Sequence, residues 1–264
     1  MYDFIYHRPT SLADAVETRN SADDGQFMAG GQTMIPVLRQ RLAMPSDVVD
    51  LGALAELKGI SVEAGVVTVK AMTTHAAVAT SDAVRSAIPA LADLALLIGD
   101  PQVRHRGTIG GSIANNDPAA DYPAAVLGLG ATVRTDRREI AGDDFFLDIF
   151  TTALDDGELI TAVDFPAPDV AAYEKFPHPA SRFALVGVMV SKGKAGVRVA
   201  VTGAGPCVFR VPEMEATLAR DFSAKALESV AVDADGLNSD IHAAADYRAH
   251  LIGVLARRAV KKIA

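Results

Sequence analysis

Cysteine is nearly absent from this chain of 264 residues; Cys207 stands alone. One thiol cannot close an internal disulfide, and an iron–sulfur cluster takes about four thiolates. Neither feature belongs to this chain, and a reducing cytoplasm is the expected compartment. Long apolar runs are missing too, since a membrane span needs ~18–20 such residues. The best stretch, Ile88 to Ile98, is interrupted by Pro89 and Asp93, and its Leu91, Leu94, Ala95 and Ile98 have the spacing of an amphipathic core helix. No basic segment followed by an apolar one opens the sequence, so no secretion signal is expected. Positive charge is scarce: 25 Lys and Arg face 33 Asp and Glu, a net charge of -8, which argues against a nucleic-acid groove. The one basic cluster, Arg257 to Lys262, reads as a solvated helix end favoured by the helix dipole.

Two nucleotide signatures are also lacking. No G-x-G-x-x-G follows a strand, because Gly203-Ala204-Gly205 runs into Pro206 and Gly128-Leu129-Gly130 has no third glycine. No P-loop is present, and His178, His242 and His250 show no metal-ligand spacing. What the chain does have is two glycine segments, Ala29-Gly30-Gly31-Gln32-Thr33 and Thr108-Ile109-Gly110-Gly111-Ser112. Glycine lets backbone N–H groups approach a ligand with no Cβ in the way, and successive N–H groups form anion-binding nests. On an acidic chain, two such loops point to a diphosphate held by backbone dipoles. The second loop continues into the polar run Asn115-Asn116-Asp117 and on to Asp121, suited to fixing a polyol or ribose.

Half the residues are hydrophobic and 22% are charged, enough for a sizeable core and more than one domain. The organisation reads as α+β, in three parts. Residues 1–57 form a small α/β unit, with a helix capped at Ser11, a strand at Phe27-Met28-Ala29, a helix around Ile35 to Leu38 and a strand at Asp47 to Leu51. Residues 58–170 turn to β-hairpins around Gly65 and between Thr135 and Arg138, with helices from Asp82 to Ile98 and from Ala124 to Leu129. After the linker Pro166-Ala167-Pro168, residues 171–264 read as three strands of period two backed by helices at 211–219, 224–230 and 244–262.

A-G-G-Q-T-M-I-P followed by R-G-T-I-G-G-S-I-A-N-N-D-P-A-A-D resembles the FAD-binding medium subunit of molybdenum hydroxylases, the group of carbon monoxide, xanthine and aldehyde dehydrogenases. Phe4 to Ala15 resembles that family's first strand and helix, and Tyr247 to Ala259 its last helix, so the likeness spans nearly the whole chain. It implies a two-subdomain FAD-binding fold of the vanillyl-alcohol-oxidase type with a C-terminal three-stranded sheet backed by helices. It also implies non-covalent FAD here, a molybdenum cofactor on a large partner subunit and [2Fe–2S] clusters on a small one. The expected assembly holds two copies of each of three chains, cytoplasmic and able to meet the inner face of the membrane through the complex.

Carried onto this sequence, the family's site falls on Ala29, Gly30, Gly31, Gln32, Thr33 and Met34 for one side of the diphosphate. Thr108, Gly110, Gly111 and Ser112 fall on the other side. Asp121 matches an acidic position that bonds the polyol or ribose, with Asn115 and Asp117 nearby. Ile98 and Ile160 match apolar positions packed on the rings, with plain core packing as the alternative. In Met72-Thr73-Thr74-His75 the residue expected near the cofactor is Thr74 rather than His75. Arg182 departs from the family's usual Asp or Asn, and Arg104-His105-Arg106 could add to the diphosphate field or be a solvated loop. Two other readings stay open: a covalent-flavin oxidase, against which Gln32 occupies the attachment place, and a flavin-free assembly subunit.

Overall fold

The computed structural model describes all residues 1–264. The chain begins with a parallel sheet of three short strands, β1 (Ile5–His7), β2 (Gly25–Met28) and β3 (Asp47–Asp50), in the order β1-β3-β2. Helix α1 (Leu12–Asn20) connects the first two; the Ser11 side chain caps it by accepting from the Asp14 N–H at 3.2 Å. Helix α2 (Met34–Arg39) connects the second and third. Ala15, Val49, Leu51, Leu54 and Leu57 bury together with Met72 and Leu159 from further along the chain.

The middle part is a five-stranded antiparallel sheet, β4 (Ile60–Glu63), β5 (Val66–Lys70), β6 (Thr132–Thr135), β7 (Glu139–Ala141) and β10 (Ile160–Pro166), in the order β4-β5-β10-β6-β7. Its first hairpin turns through Ala64 and Gly65, both at positive φ (49° and 80°), the geometry that matches strand twist in a two-residue turn. Helices α3 (His75–Thr80), α4 (Asp82–Ala87), α5 (Pro89–Leu96), α6 (Pro101–Arg106), α7 (Ile109–Asn115) and α8 (Tyr122–Gly128) cover it. The helix expected over 82–98 is thus two helices: Pro89 disfavours helical backbone at Ile88, which caps α4 at φ -141°. Short α9 (Gly142–Phe145) and the ribbon β8 (Phe146–Asp148) and β9 (Thr151–Thr152) complete this part.

The last sheet is antiparallel, β11 (Val170–Pro177), β12 (Ala184–Gly193), β13 (Gly196–Thr202) and β14 (Phe209–Arg210) in that order. Three strands were expected; the fourth is only two residues long, pairing Phe209 with Val201 and Arg210 with Ala200, too short to show a period of two. The segment 224–230 gives only a single 3₁₀ turn, Ala226–Ser229, while α10 (Pro212–Arg220) and α11 (Ala245–Ile263) are full helices.

Both faces of this sheet are buried, so alternation decides which core a residue joins. Val186, Val188 and Val190 of β12 face α10 and α11, with Leu251, Ile252 and Leu255. Met189 between them, with Tyr173 and Ala200, enters the middle core alongside Leu94, Ile113 and Tyr122. Arg248 of α11, 3% exposed, donates to the Leu185 and Gly203 carbonyls and pairs with Asp240, so no buried cation is left unpaired.

Candidate functional site

A cavity of about 730 Å³ opens where the small parallel sheet meets the middle sheet, with the β11–β12 tip at Ser181 to Phe183 along one edge. The volume falls within the usual range for small-molecule and cofactor sites. Fifteen of the sixteen predicted site residues line it: Ala29 to Met34, Ile98, Thr108, Gly110, Gly111, Ser112, Asn115, Asp117, Asp121 and Ile160. The exception is Thr74. Its hydroxyl caps α3, accepting from the Ala77 N–H at 3.3 Å, and its backbone bridges Thr108; the next residue, His75, is the one on the cavity wall. The capping role follows from position, since the residue before a helix turns its oxygen back onto the first turn.

The two glycine loops lie against each other. A Cβ on Gly30 would strike the Arg106 carbonyl, and one on Gly111 would come within 3.2 Å of the Ala29 Cβ. Glycine at these positions allows the close loop-to-loop approach. Their backbones differ. The second loop bonds within the chain: Ile109 N–H donates to the Thr73 carbonyl (3.1 Å), Gly110 N–H to Ala71 (2.9 Å) and Ser112 N–H to Thr108 (3.0 Å). Gly111 N–H donates to the Thr108 hydroxyl at 3.2 Å.

The first loop makes no such bonds. Gly31 turns at φ 75°, its carbonyl accepts from Ile35 N–H, and the N–H groups of Gly30, Gly31, Gln32, Thr33 and Met34 donate to nothing in the chain. Consecutive unpaired donors at the start of a helical turn are the arrangement from which anion nests are built. Among the lysines and arginines only Arg182 lines the cavity, so positive potential there comes mostly from backbone. Arg104 turns away, donating to the carbonyls of Ile98 (3.0 Å) and Gly99 (3.1 Å), which fixes that wall.

Asp121 is buried at 4% exposure, and both its oxygens are already engaged: Tyr173 hydroxyl donates at 2.6 Å and Lys175 ammonium at 2.8 Å. Lys175 also donates to the Leu97 carbonyl. Burial pushes the Asp121 carboxyl up, opposed by Lys175 and Tyr173. The residue therefore ties β11 to the cavity wall as well as facing the cavity. Asp117 accepts from Ala119 N–H at 2.9 Å. Asn116, in left-handed backbone at φ 43°, ends α7 and donates to the carbonyls of Asp148 and Thr151.

Sequence reasoning passed over the polar wall residues Asp24, Gln26 and Glu158, and ranked His75 below Thr74. Glu158 accepts from Arg138 at 2.9 and 3.0 Å, from Thr135 and from Asp155 N–H; these bonds, Arg138 first, hold its carboxyl down to about 2. His75 is 5% exposed, and burial, with the Arg104 charge, lowers its imidazole to about 4. Local sequence does not mark Glu158, because its Arg138 and Thr135 partners lie 20 and 23 residues away, nor the burial of His75.

A run of unpaired N–H donors on a cavity wall suits a diphosphate, and the comparisons with known proteins give the family. The family described as the FAD-binding domain in molybdopterin dehydrogenase matches residues 2–168. This chain belongs to that family. It is an FAD-binding medium subunit of the molybdenum hydroxylase group and part of an oxidoreductase. The carbon monoxide dehydrogenase medium chain of Afipia carboxidovorans is 35% identical over 98% of this chain and 96% of its own length. The nicotine 6-hydroxylase medium subunit of Paenarthrobacter nicotinovorans is also 35% identical, over 97% of this chain and 95% of that one. Among solved structures, quinoline 2-oxidoreductase from Pseudomonas putida 86 superposes with a TM-score of 0.89 at 30% identity, covering 98% of this chain and 96% of that one. The expected α+β fold of an FAD-binding medium subunit therefore holds. No helix is long and apolar enough to cross a membrane.

Proposed function

We propose that the cavity holds FAD non-covalently and that this subunit passes electrons from [2Fe–2S] clusters of a small partner subunit to an external acceptor. One observation carries the reading: five consecutive unpaired N–H groups, Gly30 to Met34, on the wall of a 730 Å³ cavity in a chain of this family. Those donors take the diphosphate, and the free Thr33 hydroxyl can add a further bond. Thr108 and Ser112 close the opposite side, and Asn115 and Asp117 offer polar atoms to the polyol or ribose. Ile98 and Ile160 present apolar surface to the rings. The flavin, when bound, supplies the electron-accepting chemistry; the chain supplies orientation and electrostatics.

With one cysteine the chain cannot hold an iron–sulfur cluster, so the clusters and the molybdenum cofactor are assigned to the partners, two copies of each of three chains. The purified chain is expected to be yellow, to release FAD on acid precipitation and to be bleached by dithionite. Aldehydes, purines and carbon monoxide should bleach it only after the partner subunits are added. A colourless folded chain, or substrate turnover by the chain alone, overturns the reading.

A further inference from the structure

His75 is the one buried ionisable side chain on the cavity wall that the assignments above leave without a task. Its backbone is fixed, because His75 N–H donates to the Gly107 carbonyl at 3.0 Å and Thr74 caps the helix it begins. Its ring is fixed too. Tyr122 packs against it at 5.3 Å between centroids and 47°, and a Cβ on Gly107 would lie 2.5 Å from Nε2 and 2.8 Å from Cδ2. The absence of a side chain at Gly107, itself a lining residue, makes room for that edge of the imidazole.

The two nitrogens differ. Nδ1 is sealed inside with no partner. Nε2 also has no partner in the chain but is not among the sealed atoms, so it keeps the ring's small exposure on the cavity side. A buried N–H without an acceptor is rarer than an under-satisfied acceptor. The proton therefore belongs on Nε2, and the ring stays neutral because burial and the Arg104 guanidinium oppose a second proton.

We propose that His75 is an FAD-binding residue, presenting a neutral Nε2–H donor to an acceptor atom of the bound cofactor. This rests on the reading that the cavity holds FAD. Thr74, by this account, positions His75.

The test uses the full chain stripped of flavin, titrated with FAD and followed by quenching of flavin fluorescence, with unfolding of each apo variant measured alongside. His75→Leu should weaken FAD binding about tenfold, the scale of a lost hydrogen bond at a closed site. His75→Gln, which keeps an N–H at a similar reach, should stay within about threefold of wild type. Nitrogen-15 NMR of wild type should show the Nε2–H tautomer without FAD and a shift of Nε2 when FAD saturates the site. Equal affinity for His75→Leu and wild type overturns the proposal, and so does a proton found on Nδ1. If His75→Leu fails to fold, the wild-type spectra decide. Wild type that takes no FAD at all refutes the cavity assignment instead.

Discussion

The two glycine loops look alike as sequence, and the backbone gives them different work. Gly30 to Met34, on the cavity wall, leaves five N–H groups without a partner in the chain, while Ile109 to Ser112 bonds its own to Ala71, Thr73 and Thr108. The first loop keeps its donors unpaired within the chain. The second is a wall, fastened to the segment after β5; further along the same wall, Asp121 pairs with Lys175 on the last sheet. A Gly-Gly pair therefore states that backbone comes close to something; what it comes close to depends on partners outside the motif. Changes in the wall should cost stability without FAD, and changes in the nest should cost FAD affinity with little loss of stability.

The largest effect expected is on the wall. Lys175→Met leaves the Asp121 carboxylate buried opposite an apolar chain, and breaking such a pair typically costs about 3–5 kcal/mol. Urea unfolding of the apo protein at neutral pH checks this; an unchanged midpoint would show that Asp121 is not held by Lys175.

Second comes a dependence on pH. His75 has a folded-state pKa of about 4 against an ordinary 6.5, so between these values the unfolded chain binds more protons. Stability should rise by roughly 3 kcal/mol from pH 4 to 6.5 on this residue's account. In His75→Gln that contribution disappears, and identical slopes for the two proteins would contradict it.

Third is the nest itself. Gln32→Pro removes one free donor in the turn two residues before α2, where no internal bond is lost. The apo protein should unfold within about 1 kcal/mol of wild type, yet bind FAD more weakly by roughly 1.5–3 kcal/mol, the range for a hydrogen bond to a charged group. Loss of stability with unchanged affinity would reverse the roles of the loops. The smallest effect belongs to Thr74→Ala, a lost helix cap costing about 1 kcal/mol of stability, with FAD affinity changed less than about threefold. A larger change in affinity would return Thr74 to the binding site.

The pattern of glycine, cap and alternation made much of this legible from sequence. The Ser11 cap and the Ala64-Gly65 turn followed from local chemistry, and fifteen of the 37 residues that line the cavity followed from the glycine loops and the family resemblance. The misses have a common cause, since each depends on a partner far away in the chain. Asp121 meets Tyr173 and Lys175, 52 and 54 residues on, and Gly110 bonds Ala71 across 39 positions (110 minus 71). Thr74 and His75 could not be ranked without knowing that Gly107 opens a slot for an imidazole. The strand at Phe209 and Arg210 was hidden by its two-residue length.

The inward row of the last sheet limits how this protein could be rearranged. Tyr173, Met189 and Ala200 lie after residue 168, where the family match ends, yet they are embedded among Leu94, Ile113 and Tyr122 beneath the cavity. A graft that moved residues 2–168 alone onto another host would carry a raw apolar patch and an orphaned Asp121. The flavin half and the tail are thus inherited as one object, and recombination between relatives should succeed where it exchanges both together.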